Sequence, residues 1–184
     1  AGGLAVSGAW TNLFEDVDSS RTGDFRTLES ELRSALAPLQ TKGVEQHDCW
    51  VSPKQGADGI EVSAKEGAAI PLRTLPEGIL DAKLRVLCRI TKDRRQLLAL
   101  DLLIEGQRDD ETPFWIAVHL PPTRAQGVRD GAGPCSHPAL HCHVGPDHHT
   151  APRVRVPLPP MPPSALLSWL LCQVYPDLEP EPWR

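Results

Sequence analysis

The sequence predicts an α+β fold: an antiparallel β-meander sheet with an N-terminal helix and a buried C-terminal helix. Three patterns predict it. A run with helical apolar spacing comes first, then a series of segments with period-two alternation, then a proline-started apolar helix. The 184 residues are 40% hydrophobic and 23% charged, enough for one ordinary core. We divide the chain into an N-terminal arm (1–23), a single α+β domain (24–176) and a Pro-rich tail (177–184).

In the arm, Leu4, Val6, Trp10, Leu13 and Phe14 are candidates to dock on the body. Asp24 is then placed to cap a helix whose Phe25, Leu28, Leu32, Ala35, Leu36 and Leu39 follow helical spacing, with Pro38 at its end. The segment around Cys49 and Val51 reads as a first strand. The run from Pro53 to Gly59 reads as a hairpin connection, and Ile60, Val62 and Ala64 alternate in a second strand. A longer Gly- and Pro-bearing connection follows at 67–80.

The next two strands are the strongest. Leu84, Val86, Cys88 and Ile90 share one face, and Arg85, Leu87 and Arg89 the other. Residues 97–105 are almost wholly apolar, which predicts a central strand covered on both faces. Asp101 is the exception, a carboxylate needing a partner. Phe114, Ile116, Val118 and Leu120 then alternate with Trp115, Ala117 and His119. The excursion at 121–136 is long for a compact domain, and such loops are often functional. Pro162 and Pro163 open the last helix, where proline is tolerated, and its leucines wrap most of its surface.

Composition bounds the function. A net charge of −5 and a pI near 5.8 argue against nucleic acid as a partner, which needs a clustered positive field. No run approaches a membrane span, and the first residues lack the basic start of a signal peptide, so the reading is cytoplasmic. Five scattered cysteines without a C-x-x-C fit a reducing compartment. The abundance of Arg over Lys, with Ala, Leu and Pro common, reads as a GC-rich, bacterial source.

The stretch Gly133–Leu158 concentrates the chemistry, with five of the seven histidines. Strand parity divides it. His141 and His143 project to one face, while Cys142 points with Leu140 and Val144 to the core, a poor setting for a nucleophile. If 139–144 and 153–158 pair as a hairpin, Arg153 and Arg155 join His141 and His143 on an outward polar face suited to an anion. His141 and His143 are also candidate metal ligands, with Asp147, His148 and His149 completing a set; zinc is the cofactor such a set would take, although no strict ligand signature is present. Cys135 in its loop, with His137 two residues on, is the candidate catalytic pair.

Taken with the order of elements, His137-Pro138 and the run P-P-S-A-L-L-S-W-L-L resemble the ubiquitin-conjugating enzymes and related RWD domains. The resemblance covers roughly residues 24–182 as topology. It departs from the family at Ala139, where an oxyanion-stabilising Asn would stand, and no Cys follows at the family's distance. It therefore implies a relative that binds partners, and no catalytic cysteine is carried over.

The expected function is a non-catalytic domain that binds a protein partner or an anionic ligand without a cofactor, as a ubiquitin-conjugating-enzyme-like component of a bacterial multi-protein system. The alternatives are a metal-dependent hydrolase built on His141, His143, His148 and His149, or a cysteine-dependent transferase built on Cys135. In each case neither membrane nor nucleic acid is the expected partner.

Overall fold

A computed structural model describes residues 22–120, 140–145 and 156–178. The predicted order of elements is present. Helix α1 spans Leu28–Leu36, and Leu28, Leu32 and Leu36 form its buried stripe at four-residue spacing. It begins later than the sequence suggested. Asp24 does not cap it, because its Oδ1 accepts from Arg26 N at 3.1 Å and Arg26 Nε at 2.8 Å. Thr27 is the N-cap residue. Beyond Leu36 the chain tightens into a 3-10 turn, Ala37–Lys42, with Pro38 at its start.

Eight strands follow: β1 (Val51–Gln55), β2 (Ile60–Ala64), β3 (Ile70–Pro71), β4 (Ile79–Ile90), β5 (Leu97–Arg108), β6 (Pro113–Leu120), β7 (His141–Gly145) and β8 (Val156–Pro157). They form one antiparallel sheet in the order β1-β2-β4-β5-β6-β7-β8, with β3 beside β4 as well. The long β4 is shared: β2 pairs with its Leu87–Ile90 half, and β3 with Lys83 and Leu84. Helix α2 (Pro163–Cys172) closes the fold.

The start of β1 differs from expectation. Asp48, Cys49 and Trp50 donate their amides to carbonyls three residues back, so residues 45–50 are turns. The strand then runs straight through Pro53. Bonds from Lys65 N to Trp50 O and from Gly56 N to Gly59 O place the even-numbered residues of β1 in the ladder with β2. The odd-numbered ones face the open edge. Pro53 is one of these, so its missing N–H costs no ladder bond. Val51 is another, and its outward carbonyl accepts from Arg33 Nε at 3.2 Å and Nη2 at 2.6 Å.

Both helices pack on one face of the sheet. Leu28, Leu32 and Leu36 of α1 and Leu166, Leu167, Leu170 and Leu171 of α2 are buried in one cluster with Leu84, Val86, Leu102, Ile104 and Val118. Burying each such side chain contributes about 1.5–3 kcal/mol before the entropy of ordering it is subtracted. Tyr175, just past α2, is fully buried, and its hydroxyl donates to Arg73 O at 2.5 Å.

Both ends of the described body are tied down. Gly23 N donates to Arg95 O at 3.0 Å and Phe25 N to Arg94 O at 2.9 Å, fastening the chain to the β4–β5 hairpin. At the other end Lys42 pairs with Asp177, and Leu178 O accepts from Cys172 Sγ at 2.7 Å. Arm residues 1–21 lie outside the described residues.

A candidate site on the open face of the sheet

The face away from the helices carries the site. Its residues follow from parity and register. One row crosses the sheet through Ser63, Leu87, Asp101, His119 and His141. The next runs through Arg85, Leu103, Ala117 and His143, and the one after through Lys83, Glu105, Trp115 and Gly145. Residues far apart in the chain thus become neighbours across strands about 4.8 Å apart.

Three imidazoles meet on this grid. The ring centroids of His141 and His143 are 4.6 Å apart, those of His119 and His143 5.3 Å, and those of His119 and His141 6.1 Å. His143 also lies nearly parallel to the Trp115 ring, with centroids 5.7 Å apart. Trp115 is held over the backbone of Gly145, where a Cβ would lie 2.8 Å from its indole nitrogen. On β5, Asp101 Oδ1 is 3.2 Å from His119 Nδ1.

The parity prediction holds for His141, His143 and Cys142. Cys142 sits opposite Val118 on the helix side, buried, and burial pushes its thiol up from the usual range. The same effect lifts the Cys88 thiol to about 12, with the charge of Asp101 adding to it. Neither is set up as a nucleophile.

Two expectations are corrected. The histidine face is not a solvated polar surface: His141 is 3% and His143 7% exposed. They belong to a buried patch with Leu103, Trp115 and Ala117, which form a small apolar cluster of their own on this side. Val144, expected in the core, is 64% exposed. Helix α2 lies over β5 and β6, and the described part of β8 opposes only His141 and Cys142, so Val144 projects past the covered area.

Cys135, His137, Asp147, His148, His149, Arg153 and Arg155 lie outside the described residues. Register pairs His141 with Pro157 and Cys142 with Val156, as the expected hairpin requires. The site gains three residues that sequence reading did not assign to it: His119, Asp101 and Trp115. Asp101 had stood out as a carboxylate in need of a partner; His119 stands 3.2 Å from its Oδ1, without hydrogen-bond geometry.

Beside the histidines β4 presents a row of cations, with Glu105 opposite Lys83 and Glu61 opposite Arg89 on the neighbouring strands. Lys83, Arg85 and Arg89 occupy alternate exposed positions on β4, with half-buried Leu87 among them. Arg89 Nη2 lies 3.6 Å from Glu61 Oε2 on β2, whereas Arg85 stands opposite Leu103. Among the described residues, Lys83 and Arg85 make no ion pair. Among the described residues, too, no helix is long and apolar enough to cross a membrane.

No protein-family model, curated protein or solved structure matches the chain significantly.

Proposed function

We propose that the chain is a non-catalytic binding domain that receives an acidic segment of a partner protein on the open face of its sheet, along β4. One observation carries this reading. Lys83, Arg85 and Arg89 project from alternate positions of a strand whose other side is locked into the core. At about 3.3 Å per residue they span roughly 20 Å, the reach of an extended acidic segment of six or seven residues. Leu87 adds an apolar contact among them, and guanidinium groups suit carboxylates through paired hydrogen bonds. The four described cysteines are free thiols, in keeping with a cytoplasmic setting. The resemblance of the chain's element order to that of ubiquitin-conjugating enzymes and RWD domains, without the asparagine after His-Pro, supports a partner-binding component over a conjugating enzyme.

The test is fluorescence anisotropy with a labelled synthetic peptide in which Glu alternates with small apolar residues. Saturable binding that weakens steeply with salt and disappears in the triple variant Lys83→Glu, Arg85→Glu, Arg89→Glu is expected. The variant should keep the wild-type circular dichroism, since none of the three side chains is buried. Equal binding by wild type and variant, or none by either, overturns the proposal.

A further inference from the structure

We infer that the acidic stretch Glu15, Asp16 and Asp18 of the N-terminal arm occupies the Arg85–Arg89 half of the row on β4, as an internal competitor of the partner's acidic segment. The inference rests on the β4 reading above and adds to it a means of regulation.

The anchor of the arm is the first argument. Thr22 pairs with Gln96, just before β5, and Gly23 N donates to Arg95 O at 3.0 Å. Gln96 O in turn accepts from Thr91 N at 2.9 Å, in the turn that follows β4. The arm therefore joins the body at the Ile90 end of β4. Counted back from Thr91, Arg89 and Arg85 lie about 7 and 20 Å along the strand, at about 3.3 Å per residue. Counted back from Thr22, an extended arm carries Asp18, Asp16 and Glu15 up to about 13, 20 and 23 Å from the anchor. Lys83, about 26 Å from Thr91 on the same scale, lies past that reach. The arm thus spans to Arg89 and Arg85 and leaves Lys83 to the partner.

Chemical match is the second argument. Arg85 is exposed and makes no ion pair among the described residues. Arg89 has only the 3.6 Å contact with Glu61 and keeps 44% of its side chain exposed. Facing them, the arm holds its carboxylates at Glu15, Asp16 and Asp18, with Phe14 and Val17 interleaved. Carboxylates alternating with apolar groups are the composition the row and Leu87 favour.

Tethering makes such an intramolecular contact effective even where each ion pair is weak. A short linker gives an effective concentration on the order of 1 mM. A segment that binds the row with a Kd of about 0.1 mM when free would then fill it in roughly nine molecules of ten. A competing peptide would bind about 10-fold more weakly than to an open row.

The test compares the full chain with its triple variant Glu15→Gln, Asp16→Asn, Asp18→Asn in the anisotropy assay with the acidic peptide at low salt. The neutral-arm variant should bind the peptide about 10-fold more tightly. A second readout uses Arg85→Lys, which keeps the charge and supplies an amine. Carbodiimide coupling, which joins a carboxylate to an amine as an amide with loss of water, should link the arm to residue 85, as read by mass spectrometry. Excess acidic peptide should suppress that link. Equal, saturable peptide binding by wild type and the neutral-arm variant overturns the inference and leaves the β4 reading standing. So does a missing link, or one that the bound peptide does not suppress. No binding by the neutral-arm variant, whose row is open, overturns both.

Discussion

Replacing Gly106 by alanine tests the packing of the two longest strands. Gly106 lies on β5 opposite Ala82 on β4, beside the register irregularity at Ile79 and Asp81. A Cβ there would stand 2.1 Å from Asp81 O, 2.9 Å from Ala82 Cα and 3.0 Å from Asp81 C. All three are backbone atoms, so no side chain can swing aside. The strands must part locally by about 1 Å to reach ordinary contact, which overpacking studies place at about 1–3 kcal/mol. Weakening one ladder hydrogen bond adds about 1 kcal/mol. The stiffer unfolded chain returns about 0.4–1 kcal/mol. A net loss of about 1–3.5 kcal/mol follows, or roughly 2–14 °C in Tm for a chain of this size. Urea and thermal unfolding followed by circular dichroism measure it. Gly56→Ala is the control: its nearest neighbour, Gly59 O, would be 3.4 Å from the new Cβ, an ordinary contact. Equal stability of Gly106→Ala and wild type would refute the reasoning, as would an equal loss in both variants.

Three other outcomes are expected. Tyr175→Phe should cost about 0.5–1.5 kcal/mol in urea unfolding, because it removes the hydrogen bond that the hydroxyl of the buried Tyr175 gives to Arg73 O. Glu29 should make stability pH-dependent. Burial opposes its ionisation, but the hydrogen bond and charge of Arg94 outweigh that and hold the carboxyl below its ordinary range. The resulting stability is present above about pH 4.3, the ordinary glutamate value, and is lost as pH falls through the folded value. Glu29→Gln should flatten the acid limb of the stability profile relative to wild type. Finally, Pro53→Thr combined with Arg33→Ala should raise the rate of aggregation, measured by light scattering on incubation. The pair restores an edge N–H at residue 53 and frees the carbonyl of Val51.

Most of the fold was legible because its elements have clean periods. Leu28, Leu32 and Leu36 announce α1, and the alternations through Leu84–Ile90 and Phe114–Leu120 announce β4 and β6 with the correct faces. Pro53 misled because proline marks turns as well as edge strands, and only neighbouring strands tell which. Asp24 misled because a local bond to Arg26 competes with capping.

The site was half legible. Parity within β7 separated His141 and His143 from Cys142, but parity has no reach beyond a single strand. That β6 lies next to β7, and β5 next to β6, is a property of the sheet. Without it His119 is one imidazole in an apolar strand and Asp101 one stray carboxylate. The burial of His141 and His143 was hidden for the same reason, since Trp115 and Leu103 arrive from other strands.

The placement of both helices on one side of the sheet sets what change the molecule tolerates. Along β4 the even-numbered residues from Ala82 to Ile90 answer to the core, and exchanging any of them disturbs packed neighbours. The odd-numbered Lys83 and Arg85 answer only to whatever lies outside, while Arg89 also faces Glu61 on β2. Their replacement leaves the fold intact. A lineage can therefore revise the charge and shape of this strip freely, trading one partner for another while the architecture stands still.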